Sequence, residues 1–295
     1  MTSASPSTQP IGAKLDRLGP AILAAVTFSC SDILGKLTLN AGAGVLTLLT
    51  VRSYVGIAML ATWLALAAKL PPLAPRARKL SWLLGILFTA NIYLLFKAFE
   101  VVPVPIAILT FFTYPLLTGI AGAMTGLDRL SWRGAAAALV AFLGLALMLG
   151  AHPGGLALVG ILAALASAGC RVVMLLITRA WLQDADARLI TWHSLIASTV
   201  LFTLLLLTAR QWQPPAGIDG WAALVGLAVV TTLGIMFVYM STARIGPFRT
   251  ALFMNLEPLL TAIGSAMFLG EILTPLQVAG GAVMLAALML FQLKR

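Results

Sequence analysis

Residues 113–124 read TYPLLTGIAGAM, and residues 256–267 read LEPLLTAIGSAM. Seven of the twelve positions are identical, and three of the other five exchange Gly, Ala and Ser among themselves. The phrase recurs at an offset of 143 residues, which also sets Asp128 on Glu271 in the following loop. An offset of 141 lays Thr50, Arg52 and Ser53 on Thr191, His193 and Ser194, and one of 139 lays Asp32 on Arg171. Offsets that drift by a residue or two are what loop insertions produce. The chain is therefore read as two related halves, 18–150 and 151–295, after a polar, Ser/Pro-rich tail at 1–17 that reads as disordered and cytoplasmic.

Composition says where these halves live. The chain has 295 residues, 61% of them hydrophobic and only 9% charged, with a mean hydropathy of +1.02. So few charges could not cover the surface of a water-soluble protein of this size. A bilayer removes that demand, and apolar stretches of about 20 residues, long enough to cross its hydrocarbon core, recur along the chain. They are continuously apolar, without the alternation of a membrane β-barrel. An all-α integral membrane protein follows, with ten helices predicted at 18–38, 43–67, 80–100, 105–124, 131–150, 155–178, 188–208, 219–241, 248–268 and 275–293. The cuts fall at Pro71-Pro72, Pro103, Pro105, Pro153-Gly154-Gly155, Pro214-Pro215, Gly246-Pro247 and Pro275.

Five spans per half is an odd number, so the second half must enter the membrane upside down. Inverted repeats of this kind build secondary transporters, in which the halves exchange conformations to expose one central site to either side. The net charge of +10 supports orientation rather than nucleic-acid binding, because no basic stripe interleaved with aromatics is present. Alternate loops and the two tails hold fourteen Lys and Arg residues, and the opposite loops hold only Arg210. Basic loops stay inside, so both termini are expected in the cytoplasm. Cys30 and Cys170 lie within apolar spans and suggest no disulfide framework.

Two five-helix halves, a Pro-Leu-Leu-Thr phrase in the fourth span of each, and an acid just after it (GLDRL at 126–130, LGEIL at 269–273) resemble the drug/metabolite transporter superfamily, EamA-type. The resemblance covers nearly the whole chain and is nearest to the aromatic amino-acid exporter group. It implies export of amino acids, aromatic or hydrophobic ones included, and related metabolites across a bacterial inner membrane. Asp128 stands where that family more often has glutamate.

Ionisable groups within a span are costly and usually face a cavity or a partner. Asp32 and Lys36 share a face of the first helix, with Arg52 on the second and Lys97 and Glu100 on the third. Together they are candidates for an ionic gate, against simple local pairing or snorkelling as the alternative. Arg171 and His193 are their counterparts in the second half, although no acid on Arg171's own helix matches it. Glu257 lies near mid-span and directly precedes Pro258, whose missing N–H opens the helix ladder. A carboxylate beside freed carbonyls suits an ammonium group or a coupling proton, the plainer reading being a hydrogen bond to Asn255 or Arg52. Tyr114, beside Pro115, is its counterpart. Asn91, Tyr93, Tyr114, Tyr239, Asn255 and Glu257 are the substrate-binding candidates, and Pro115 and Pro258 the positions for helix bending. Trp63, Trp82, Trp132, Trp181, Trp212 and Trp221 fall near span ends as interfacial anchors.

The sequence contains no GxxxxGK[ST] for ATP, no HExxH or GxSxG, and neither histidine has a second at ligand spacing. No cofactor or metal is expected, and no enzymatic activity. The reading is a secondary carrier for small solutes working by alternating access in the lipid bilayer, with a monomer as the simplest state. A proton-coupled multidrug or other metabolite exporter of the same superfamily is the alternative.

Overall fold

Proline and glycine set the punctuation of the molecule, and helices fill the intervals. The computed structural model describes residues 11–67, 70–150 and 157–293. Twelve helices run through them: α1 (Ile11–Asn40), α2 (Val45–Leu66), α3 (Pro75–Phe99), α4 (Val104–Phe111), α5 (Tyr114–Met124) and α6 (Trp132–Leu149) in the first half. The second half holds α7 (Leu158–Trp181), α8 (Ala187–Ala209), α9 (Gly217–Ile245), α10 (Pro247–Phe253), α11 (Leu256–Leu269) and α12 (Pro275–Leu293). No strand occurs among the described residues. Nine segments are long and apolar enough to cross a membrane, α4 with α5 and α10 with α11 each counting as one, and Pro275–Phe291 is a shorter apolar helix.

Two expectations need correction. The chain is already helical at Ile11, ahead of residue 18, and the helix runs on through Gly12, Gly19 and Pro20. The expected tail at 1–10 lies outside the described residues. The two spans carrying the repeated phrase are also not continuous. Each is broken just before the phrase's proline, at Phe112-Thr113 and at Met254-Asn255. Proline has no N–H to give the carbonyl four residues earlier. In the second half that carbonyl, of Met254, is taken instead by the Glu257 N–H at 3.0 Å. Side chains complete the repair: Thr113 Oγ1 donates to Thr110 O at 2.7 Å, and Asn255 Nδ2 to Leu252 O at 3.0 Å.

Packing follows the two-fold logic of the repeat. α1 lies on α9, and its counterpart α7 lies on α3, the counterpart of α9. α3 lies on α8 just as α9 lies on α2, while α2 with α8 and α6 with α12 pair across the pseudo-axis. The α6–α12 seam is tight: a Cβ on Gly280 would stand 2.5 Å from Gly144 O and from Met148 N. Without a hydrophobic drive between helices in lipid, such backbone approach is what joins them.

The helices end in two sets of loops. One end, hereafter the Glu271 end, holds residues 41–44, 100–103, 210–216 and 270–274. Its first and third loops are tied by Gly44 N to Gln213 O (2.8 Å) and Ala216 N to Ala41 O (2.7 Å). The other, the Asp128 end, holds residues 125–131, 182–186 and 246. There Asp186 caps α8 by accepting from Arg188 N at 2.8 Å. The Arg188 side chain holds the Asp186 carboxyl below its ordinary pKa. Arginines at this end lie over exposed tryptophans: Arg76 over Trp181, Arg133 over Trp132 and Arg188 over Trp63. Rings with a polar rim of this kind suit a membrane interface.

Candidate functional site

Between the two halves a cavity of about 540 Å³ opens toward the Glu271 end. Its mouth is formed by the helix ends at Leu39, Phe99, Leu149 and Gln277, and its inner wall by Arg52, Phe112, Glu257 and Thr261. Arg52 lies seven residues into α2, about 10 Å below the start of that helix. Glu257 is ten residues into the broken span Pro247–Leu269, near its middle. The volume falls in the range of about 300–1,000 Å³ usual for small-molecule sites.

The wall is apolar on one side and charged on the other. Phe96, Ile108, Phe111, Phe112 and Met148 supply the first; Asp32, Lys36, Arg52 and Glu257 the second. Asp32 Oδ2 accepts from Thr261 Oγ1 at 2.9 Å. Asp32 and Arg52 are near enough for their charges to act on one another, yet no ion pair joins them. The Arg52 guanidinium sits over the Phe88 ring, 5.6 Å from its centroid, and its buried Nη2 has no hydrogen-bond partner. Glu257 lies within electrostatic reach of Asp32 and of Arg171 and makes no hydrogen bond through its carboxylate among the described residues. Arg171 stands behind this wall in an aromatic nest, about 6 Å from the rings of Phe28, Phe111 and Tyr114. No ion pair joins Arg171 to Glu257, although the two lie within electrostatic reach of each other across α7 and α11.

Asp32, Lys36, Arg52, Lys97 and Glu100, the candidates for an ionic gate that closes when the carrier opens inward, stand apart while the cavity is open. Lys36 pairs with Glu271, both about half exposed at the mouth, and Lys97 pairs with Glu100 three residues on at 2.9 Å. A lysine's long stem reaches the nearest acid at the rim rather than turning inward. Asn91 and Tyr93 do not line the cavity. Asn91 is buried against α7, where its Nδ2 donates to Ser167 O and Oγ, both at 2.8 Å, and Ser167 Oγ returns a bond to Asn91 O. Its counterpart at an offset of 143 is Gly234, which packs on Phe28, the counterpart of Ser167. Tyr93 faces outward and is exposed. Asn255 is buried at the helix break, its amide spent on Leu252 O.

Tyr114 and Tyr239 are both 2% exposed. Tyr239 stands 3.1 Å from Ser194 Oγ and faces a smaller pocket at the Asp128 end, beside Asp186 and Arg188. His193 packs edge-on against Trp82 with its Nδ1 unpartnered.

The Asp128 end is sealed. Asp128 Oδ2 accepts from Phe248 N at 3.1 Å, at the start of α10, and Asp128 N donates to Gly122 O at 3.1 Å. Gly246 turns the chain there at φ 90°, and a Cβ on it would stand 2.7 Å from the carboxylate. The Phe248 ring fills the space over Gly119 and Gly134, where added Cβ atoms would lie 2.9 and 2.8 Å away. Gly119 and Ala262 are the same letter of the repeated phrase. In the structure one is covered by Phe248 and the other lines the open cavity. Thr261, Glu271 and Ser167 acquire partners that no sequence pattern announced. Thr261 carried a visible signal as the last letter of the repeated PLLT, and Glu271 as the acid that follows the phrase; Ser167 carried none.

These features define a class: a multi-pass helical membrane protein in two related halves, with a solute-sized, partly charged cavity at their seam. The EamA-like transporter family model matches residues 19–150 and again 158–293, and the chain belongs to that family. It is a membrane transporter; the family is one of transporters, not enzymes. A solved crystal structure, described only as that of a protein, is similar over 94% of this chain and 98% of its own, with a TM-score of 0.75 at 20% identity. At that identity the likeness is one of fold. No curated protein matches the chain.

Proposed function

We propose that this transporter exports amino acids, aromatic and hydrophobic ones among them, across the bacterial inner membrane by alternating access, without nucleotide hydrolysis. The observation that carries the reading is the divided cavity wall. Charges of both signs (Asp32, Arg52, Glu257) face an aromatic and aliphatic surface (Phe96, Phe111, Phe112). An amino acid presents that same combination: an ammonium, a carboxylate and an apolar side chain. The excess of Lys and Arg in the Asp128-end loops supports a cytoplasmic position for that end and for both termini. The cavity then faces outward, in the state that releases an exported solute. A panel of labelled amino acids offered to proteoliposomes checks the substrate class. Saturable uptake of phenylalanine or leucine is expected, and uptake of none of the panel would refute it.

One arrangement favours a second reading, proton-coupled export of other amphipathic metabolites or drugs. Asp32 and Glu257 are two carboxylates close enough to influence one another, as groups that share a proton must be. An imposed pH gradient separates the readings: it drives accumulation under proton coupling and leaves the plateau unchanged under facilitated export.

A further inference from the structure

We propose that Arg52 is the receptor for the carboxylate of a zwitterionic solute, with Asp32, steadied by Thr261, taking its ammonium group. The proposal rests on the amino-acid reading above and assigns the residues that make it selective.

Arg52 Nη2 is buried at the cavity wall with no acceptor. A guanidinium donor removed from water and left unbonded is costly, and an acceptor from outside the protein removes that cost. Of the other polar groups on this wall, Glu257 is an acid that forms no ion pair with the guanidinium, while two more are engaged elsewhere. Lys36, the cavity's second cation, is spent on Glu271, and the Gln277 side-chain oxygen accepts from Thr274 N at 2.9 Å. Asp32, the acid nearest in charge to Arg52, accepts instead from Thr261 on α11 and forms no ion pair with the arginine. Two opposite charges on neighbouring helices, α1 and α2, thus face one cavity without closing on each other. A solute carrying an ammonium and a carboxylate on one carbon bridges such a gap and satisfies both.

Guanidinium and carboxylate match as a planar fork, so the bond can be bidentate. Arg171, whose Nε also lacks a partner, is shielded by Phe28, Phe111 and Tyr114 and does not line the cavity. The substrate side chain is left to the apolar wall of Phe96, Ile108 and Phe112. A simple amine would leave Arg52 unbonded, and a simple carboxylic acid would leave Asp32 without a cation.

The test is counterflow of labelled L-phenylalanine in proteoliposomes containing the full chain, with three competitors: L-phenylalanine, L-phenylalaninamide and 3-phenylpropionate. In the wild type, phenylalaninamide and phenylpropionate should each inhibit about tenfold to a hundredfold more weakly than phenylalanine, the equivalent of one charged hydrogen-bonding group. Arg52→Gln should raise the half-saturating concentration of phenylalanine by a similar factor and erase the preference over the amide. Arg52→Lys should restore part of it. The competitor series on the wild type needs no variant to fold. Equal inhibition by amide and amino acid overturns the inference and leaves amino-acid transport standing, as does an Arg52→Gln protein that still prefers the acid. Absence of phenylalanine counterflow in the wild type overturns the transport reading itself.

Discussion

Thr118 and Thr261 are the same letter of the repeated phrase, yet they do different work. Thr118 Oγ1 turns back on its own helix to Tyr114 O at 2.6 Å, while Thr261 Oγ1 reaches across to Asp32 on α1. The difference follows from what each half presents: a buried tyrosine in one, an open cavity with an acid in the other. Thr261→Val removes the donor without changing the volume, so Asp32 should lose its orientation. The half-saturating concentration for phenylalanine should rise about threefold to tenfold in counterflow, with Thr261→Ser close to wild type. The midspan position of Glu257 was legible in the sequence because Pro258 and the repeat both point to it. Its neighbours were not, since Asp32 and Arg171 come from helices more than eighty residues away in sequence. If Glu257 carries a coupling proton, Glu257→Gln abolishes pH-gradient-driven uptake and leaves counterflow intact. An unchanged response to the gradient would exclude that role.

Asp128 shows the same divergence at the level of elements. It ties the loop after α5 to the start of α10 through Phe248 N. The position equivalent to Phe248 at an offset of 143 is Pro105, which has no N–H to offer, and Glu271 pairs with Lys36 instead. The two ends of the molecule are therefore fastened by different chemistry, a carboxylate–backbone bond at one and a side-chain ion pair at the other. Asp128→Ala should cost about 1 kcal/mol, as loss of a capping side chain does. Thermal unfolding in detergent should show a lowered midpoint, with Asp128→Asn retaining most of the stability through its remaining acceptor. An alanine variant as stable as wild type would remove the bond from any part in sealing this end. Breaks within the phrase-bearing spans follow from the prolines, which are visible in the sequence. Their placement before Tyr114 and before Leu256 depends on which side chains repair the ladder, and those bonds are a matter of three dimensions. The Lys36–Glu271 pair was hidden for a similar reason: helical spacing directs Lys36 to Asp32, and only the approach of α11 and its loop to α1 offers a nearer acid.

At the scale of the whole molecule, the repeat does more than fix a helix count. The cavity-lining residues Asp32, Arg52, Phe96 and Glu257 have as counterparts Arg171, His193, Tyr239 and Tyr114, none of which lines the cavity. An alternating carrier exposes the second set when it closes over the first. In a background without Cys30 and Cys170, Phe96→Cys should react readily with a thiol reagent applied at the Glu271 end. Tyr239→Cys, at a position now 2% exposed, should react slowly and from the Asp128 end. Saturating phenylalanine should change both rates together, whereas two rates indifferent to solute would indicate a static cavity. The two-half organisation was readable because the repeated phrase and the charge bias survive in sequence. Which half is open was not readable, because that depends on whether Phe248 covers Gly119 or Ala262 faces a solvent-filled space. The central claim, a carrier that moves amino acids through this cavity, is tested most directly by trans-stimulation in proteoliposomes. Preloading with unlabelled phenylalanine should accelerate entry of labelled phenylalanine, with saturation on both sides. Entry that rises linearly with concentration and ignores the internal solute would contradict the account.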